Sequence, residues 1–280
     1  MKAFTILRQA ALSLVFAACA GAVLAQAQKS TPPAPKFEPQ VGQAGKDVIW
    51  VPTSQALVDA MMKIGKVTAK DVLYDLGSGD GRTVITAAKL GARATGFEFN
   101  PDMVELSKQN AEKAGVASRA TFTKGDLFEA DLSQANVITM FLLSSINLKL
   151  RPKILDLKAG TRIVSNTFTM DNWKEDDSVT VSAQDGCSNY CVAYFWLVPA
   201  KVGGTWSLGK SELALKQEFQ VVSGTLTTDG KAVPVSGRLR GEQFTFTAGG
   251  AQYDARVNGN AIEGTRKAGN ASGAFSAARK

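Results

Sequence analysis

Three carboxylates and one glycine-rich turn carry the chemical information in this chain. The stretch Val72-Leu73-Tyr74-Asp75-Leu76-Gly77-Ser78-Gly79-Asp80-Gly81-Arg82 reads as a buried strand running into a turn and then a helix. Gly77, Gly79 and Gly81 let the backbone bend sharply and approach a ligand with no Cβ in between, and the following helix offers free N–H groups. Alone the turn is weak evidence, since its G-x-G-x-G spacing differs from the G-x-G-x-x-G of dinucleotide binders. Glu98 ends the next strand-like run, 23 residues after Asp75, where an acidic side chain accepts hydrogen bonds from both hydroxyls of a ribose. Asp126 follows the third run, in Gly125-Asp126-Leu127-Phe128, in reach of an adenine amine. Three acids at consecutive strand ends suit a ligand with hydroxyls, an amine and positive charge, and would repel pyrophosphate. Histidine is absent, so Ser-His-Asp and Cys-His nucleophile systems, imidazole bases and His-containing metal sites are excluded.

The elements that must position these groups follow from periodicity. Apolar runs at 72–76, 93–98, 119–123, 136–142 and 161–167 read as strands, with helices between them near 81–90, 101–114 and 146–158. An earlier helix is predicted over 53–66, with Thr53 as N-cap. Asn100, Pro101 and Gly115 punctuate the helix at 101–114 as cap, first residue and stop. Two more strands, 178–183 and 190–198, follow with no full helix between them and predict a closing antiparallel pair. The fold class is therefore α/β with a seven-stranded sheet. Beyond Pro199 the composition changes: 13 of the 26 glycines fall in the last 80 residues, beside turn pairs such as Asp229-Gly230, Gly249-Gly250 and Asn258-Gly259. Six to eight short antiparallel strands are expected there, as a small all-β domain whose closure into a barrel is left open.

At Asp75 to Gly81, Glu98 and Asp126 the chain resembles the class I S-adenosylmethionine-dependent methyltransferases, over roughly residues 50–198. More narrowly, Val51-Pro52-Thr53, the turn from Asp75 to Arg82, Gly125-Asp126-Leu127-Phe128, Asn147 and Arg162-Ile163-Val164-Ser165 are similar to the protein-lysine methyltransferases of mitochondrial inner-membrane proteins and their bacterial relatives. The resemblance implies a Rossmann-like sheet and S-adenosyl-L-methionine as cofactor. It implies that Asp75, Gly77 and Gly79, with Ser78 and Gly81 in the same turn, line its methionine end, that Glu98 holds the ribose, and that Asp126 and Leu127 flank the adenine. The chain departs from many amino-methylating relatives after the fourth strand. Where those carry Asn/Asp-Pro-Pro-Tyr/Phe, it has Met140-Phe141-Leu142-Leu143-Ser144-Ser145, which argues against DNA-base or glutamine methylation. Catalytic residues are thus unassigned, with Ser144 and Asn147 as weak candidates; Asn147 serves equally as a helix cap. Phe141, Leu142 and Leu143 read as core rather than pocket. Trp173 with Glu175, Asp176 and Asp177 reads as an exposed loop with one anchored ring.

Composition and termini bound the rest. Hydrophobic content of 45% with 20% charged residues describes a globular protein with a real core. Residues 1–27 read as a signal peptide: Lys2 and Arg8 precede an apolar run ending in small residues. Removing Lys2 and Arg8 lowers the formal charge of +7 by two, leaving a mildly basic chain with no arginine-rich arm for nucleic acid. Residues 28–47 read as a Pro-rich linker, 48–199 as the cofactor-binding domain and 200–280 as the β domain. After cleavage no transmembrane span is expected, and the chain would be periplasmic or secreted. There Cys187 and Cys191 pair most simply as a disulfide; zinc lacks two further ligands. The leading functional expectation is an exported methyltransferase acting on protein lysine. Alternatives are a small-molecule methyltransferase and a non-catalytic exported module that binds an adenosine-type ligand.

Overall fold

A computed structural model describes residues 37–280. The signal peptide expected over 1–27, and the first part of the linker expected over 28–47, through residue 36, lie outside the described residues. Helix α1 (Gln55–Ile64) is followed by β1 (Val72–Leu76), α2 (Arg82–Lys89), β2 (Arg93–Glu98), α3 (Pro101–Lys113), β3 (Ala120–Lys124), β4 (Val137–Met140), α4 (Ser144–Leu155), β5 (Arg162–Asn166), β6 (Asp177–Thr180) and β7 (Val192–Leu197). The strands form one sheet in the order β3-β2-β1-β4-β5-β7-β6. β1 to β5 pair in parallel, and β7 runs antiparallel to both β5 and β6, closing the sheet as the sequence implies. β1 lies beside both β2 and β4, so the order reverses at β1, and ligands of open α/β sheets bind at the carboxyl ends of strands at such a point.

Local chemistry explains most boundaries. Asn100 caps α3 by accepting from the Asp102 N–H at 2.9 Å, with Pro101 at the first helical position. The cap of α1 is Ser54 rather than Thr53: Ser54 Oγ accepts from the Leu57 N–H at 3.3 Å. The Thr53 hydroxyl instead accepts from Asn166 Nδ2 at 3.1 Å, which ties the start of α1 to the end of β5. β4 is buried at every position, as a central strand covered on both faces must be.

The last strands are β8 (Gly204–Leu208), β9 (Ser211–Glu218), β10 (Val221–Thr228), β11 (Lys231–Arg240), β12 (Gln243–Ala248), β13 (Ala251–Asn258), β14 (Ala261–Ala268) and β15 (Ala271–Arg279). They close into an eight-stranded antiparallel barrel through the β15–β8 pair. Asp229 and Gly230 both have positive φ, 48° and 77°, the geometry that a two-residue hairpin turn demands. Trp206, Phe244, Phe246 and Tyr253 are buried in the barrel core, with the Phe246 and Tyr253 rings stacked at 4.3 Å. The barrel is docked on the sheet domain by aromatic and polar contacts. Phe219, between β9 and β10, stacks on the fully buried Trp173 at 5.9 Å and lies under the Arg151 guanidinium. Arg238 pairs with Asp176 at 2.9 Å, and Gln220 Nε2 donates to the Lys174 carbonyl at 2.7 Å. The segment expected to be an exposed loop is therefore a joint: Trp173 is wholly buried and the Asp176 side chain is 1% exposed.

Candidate active site

One cavity of about 430 Å³ opens at the carboxyl ends of β1, β2 and β4. Its floor is the turn after β1, where Gly77 and Gly79 take φ of 77° and 54°. The Gly77 and Ser78 N–H groups both donate to the Phe97 carbonyl, at 2.9 and 3.0 Å, which folds the turn back over β2. A Cβ on Gly96 would lie 2.5 Å from Ser78 Oγ, so β2 carries glycine where the turn crosses it. Ser107 and Asn110 of α3 hold the turn from behind through the Gly79 and Asp80 carbonyls, at 2.8 and 3.0 Å.

The three carboxylates meet in this cavity. Asp75 is 5% exposed, and the Thr139 hydroxyl of β4 donates to its Oδ1 at 2.6 Å. Burial pushes the Asp75 carboxyl up to about 7, against the Thr139 hydrogen bond and with help from the nearby Glu98 and Asp80 charges. Glu98 accepts one backbone N–H on each oxygen, Gly79 and Asn100, both at 2.9 Å. That fixes its orientation and leaves about two acceptor sites on the carboxylate. Asp126 accepts from the Phe128 N–H at 2.9 Å and is ion-paired with Lys46, whose hydrogen bond holds the Asp126 carboxyl below its ordinary value.

Of the residues expected at the ligand, Asp75, Gly77, Ser78, Gly79, Glu98, Asp126 and Leu127 line the cavity. Gly81 does not: it caps α2 in the left-handed conformation, and a Cβ there would meet the Phe122 ring at 2.8 Å. Its glycine serves packing. Ser144 and Asn147 also lie outside the lining. Ser144 is exposed at the start of α4; Asn147 is fully buried, is not the cap, and donates to the Phe168 and Thr169 carbonyls at 3.0 and 3.3 Å. Conversely, Phe141, Leu142 and Leu143, expected in the core, line the cavity; Leu143 is 44% exposed.

Several lining residues were not singled out by sequence. The end of the segment expected to be a coreless linker places Lys46 in the cavity wall, and its Ala44 pairs with Ile49 of the expected domain, next to Trp50, which also lines the wall. A Cβ on Gly79 would lie 2.6 Å from Trp50 Nε1. Arg82 joins this strap to the glycine turn, gripping Asp80 at 2.6 Å and donating to the Thr53 carbonyl at 2.5 Å. The nearest sequence signal was the adjoining Val51-Pro52-Thr53. Among the described residues none from the barrel lines the cavity, whose wall ends with Tyr190.

The cavity fits the cofactor implied by its carboxylates. The glycine turn is a cradle that side chains would fill, and Ser78 Oγ is buried without a hydrogen-bond partner. Among the described residues the wall carries two cations, Lys46 and Arg82, against five acids, Asp47, Asp75, Asp80, Glu98 and Asp126. That donor set favours a cationic nucleoside over a phosphorylated one.

Comparison with known proteins agrees. A family model described as the ANTKMT methyltransferase domain matches residues 75–177. A protein-lysine N-methyltransferase of Saccharolobus islandicus is 43% identical over 154 residues, 54% of this chain and 94% of that protein. The adenine nucleotide translocase lysine N-methyltransferase of Mus musculus is 36% identical over 104 residues, 36% of this chain; the chain spans 45% of that protein's length. A crystal structure of an RNA methyltransferase from Salinibacter ruber with S-adenosyl-L-homocysteine is 45% identical at a TM-score of 0.50, covering 54% of this chain and 96% of the other. The chain belongs to the S-adenosylmethionine-dependent methyltransferases of the ANTKMT/ATPSCKMT protein-lysine methyltransferase family.

Proposed function

We propose that this protein is an exported methyltransferase that N-methylates lysine side chains of a protein substrate. The observation that carries the reading is the convergence of Asp75, Glu98 and Asp126 on one cavity beside the glycine turn. Asp75 takes the ammonium of the cofactor's methionine end, with Gly77 and Gly79 beside it. Glu98, held by two backbone N–H groups, presents its remaining acceptor sites to the ribose hydroxyls. Asp126 and Leu127 flank the adenine, and Lys46 sets the orientation of the Asp126 carboxylate.

Held by Asp75, Glu98 and Asp126, S-adenosylmethionine would supply a sulfonium methyl for in-line transfer to a neutral amine nitrogen, with the thioether as leaving group. The chain's part is positioning and exclusion of water, since an aligned pair of reactants gains most of the rate without a covalent intermediate. Met140, Leu142 and Ile146 make the wall beside Asp75 apolar, which favours the neutral, nucleophilic form of a lysine amine over the ammonium. A lysine acceptor is supported by the named activities of the archaeal and mouse relatives. Export is supported by the basic and apolar start of the chain and by the Cys187–Cys191 disulfide, which suits an oxidising compartment. Among the described residues no helix is long and apolar enough to cross a membrane.

Isothermal titration of the full chain with S-adenosylmethionine tests the cofactor site, and a silent titration would sink the catalytic reading. N-terminal sequencing of protein recovered from the cell envelope tests export, for which a start near residue 28 is expected and a retained Met1 would count against it.

A further inference from the structure

At the opening of the cavity stands a group of three rings that the cofactor does not need. Phe141 follows β4, Phe168 follows β5 and Tyr190 precedes β7; all three line the cavity. Their centroids are 5.2 Å apart for Phe141 and Tyr190, 6.0 Å for Phe141 and Phe168, and 6.2 Å for Phe168 and Tyr190. Rings this close touch one another, so they form a wall rather than an open cage.

The backbone works to keep them there. Tyr190 has φ of 56° and is 45% exposed, an arrangement that costs free energy in a non-glycine residue and hides little apolar surface. It is held inside the short loop closed by the Cys187–Cys191 disulfide. That loop is tied to its surroundings by Cys187 N–H to the Ser182 carbonyl at 3.2 Å and Val181 N–H to the Cys191 carbonyl at 2.9 Å. Phe168 is fixed in a similar manner: Thr167 before it has φ of 60°, and the Phe168 carbonyl accepts from Ser165 Oγ at 2.7 Å and Asn147 Nδ2 at 3.0 Å. Two strained residues in separate loops that both deliver rings to one opening point to a ligand there. Asn147, buried and outside the cavity, is thereby a positioning residue for Phe168.

We propose that Phe141, Phe168 and Tyr190 are the acceptor wall of the cavity, against which the lysine side chain and its methylated ammonium products lie, with the Cys187–Cys191 disulfide holding Tyr190 in place. The assignment rests on the lysine methyltransferase reading above. Aromatic faces attract cations within about 6 Å of the ring centroid, and a methylated ammonium, poorly hydrated, binds such faces well. The same wall offers an apolar path for the butyl chain behind the charge. One of the three rings, Phe141, comes from the segment after β4 where other amino-methylating enzymes carry Asn/Asp-Pro-Pro-Tyr/Phe, so there a ring face replaces polar atoms.

The test uses the full, oxidised chain saturated with S-adenosylhomocysteine and two probes: Nα-acetyl-trimethyllysine methylamide, and its neutral isostere with carbon in place of the side-chain nitrogen. The cationic probe is expected to bind about 3- to 30-fold more tightly than the isostere. Tyr190→Ala, or reduction of the disulfide, should bring that ratio close to one, and Tyr190→Phe should restore most of it. A ratio near one in the unaltered chain, or one that Tyr190→Ala leaves unchanged, would overturn the assignment. A ratio untouched by reduction would overturn the role of the disulfide. S-adenosylhomocysteine is titrated into each sample first: its failure to bind the unaltered chain would bring down the methyltransferase reading, whereas normal binding with a ratio near one would bring down the acceptor wall alone.

Discussion

Replacing Asp75 by Asn should make the ligand-free protein more stable and the cofactor site worse. Asp75 is 5% exposed and its carboxyl titrates at about 7 instead of the ordinary 3.8, chiefly through burial. Because the folded value lies above the unfolded one, the folded chain holds a proton that the unfolded chain has lost between those two pH values. Stability therefore falls as pH rises from about 4 to about 7, and stays low above that. At 1.36 kcal/mol per pH interval the full cost at pH 8 is of the order of 4 kcal/mol, an upper limit because the buried surroundings relax. Asparagine keeps an oxygen for the Thr139 hydroxyl and removes the buried charge, but its amide N–H needs an acceptor, so a net gain of roughly 2 kcal/mol is expected at pH 8. Denaturant unfolding of both proteins at pH 4 and pH 8 measures this: the two curves should nearly coincide at pH 4 and separate at pH 8. Titration with S-adenosylmethionine should show the opposite sign, a loss of about 10- to 100-fold for a hydrogen bond to a charged group. A variant that is less stable than the parent at pH 8, or that binds cofactor as well, would refute the reasoning.

Four further outcomes follow from the same geometry. In the unaltered chain, affinity for S-adenosylmethionine should rise with pH and level off above about 7, because the ionised Asp75 pairs with the cofactor's ammonium; titration at pH 5.5, 7 and 8.5 checks the direction. Glu98→Gln should weaken the cofactor by about 10-fold or more, since it loses the charge and must turn an amide N–H toward either the Gly79 or the Asn100 donor; calorimetry reads the loss. Gly96→Val should displace the glycine turn, because even a Cβ lies 2.5 Å from Ser78 Oγ and 2.8 Å from the Phe122 ring, and cofactor binding should be lost while far-ultraviolet dichroism still reports a folded chain. Phe246→Ala, in the barrel core, should cost about 3–5 kcal/mol of stability yet leave cofactor affinity at low temperature unchanged, because no described barrel residue lines the cavity.

What the sequence discloses depends on how local the signal is. The strand, glycine turn and helix from Asp75 to Arg82 are legible because every contributing residue is within one turn of its neighbour, and Glu98 and Asp126 are legible because each ends a strand of a regular series. Thr139 was not, since its role comes from β4 pairing beside β1 after two intervening βα units. The strap bearing Lys46 and Trp50 has no apolar period, being a short bridge held by backbone hydrogen bonds, so composition alone made its first part, up to residue 47, a linker. Thr53 and Ser54 are both competent caps, and only the distant Asn166 decides which is used elsewhere. Closure of the barrel rests on two residue pairs between β15 and β8, strands at opposite ends of the domain. The rings at the cavity mouth come from three loops far apart in sequence, each looking apolar and ordinary until the sheet brings them together.

The most direct measurement of the central claim is the fate of a labelled methyl group. The full chain is incubated with envelope extract and methyl-labelled S-adenosylmethionine, and the products are separated into protein, RNA and organic-soluble fractions before mass spectrometry. The proposed function requires the label on lysine side-chain nitrogen in protein, and a lower rate of labelling by the Glu98→Gln chain at limiting cofactor. Label confined to RNA or to small molecules, or no transfer at all by a chain that binds the cofactor, would contradict it.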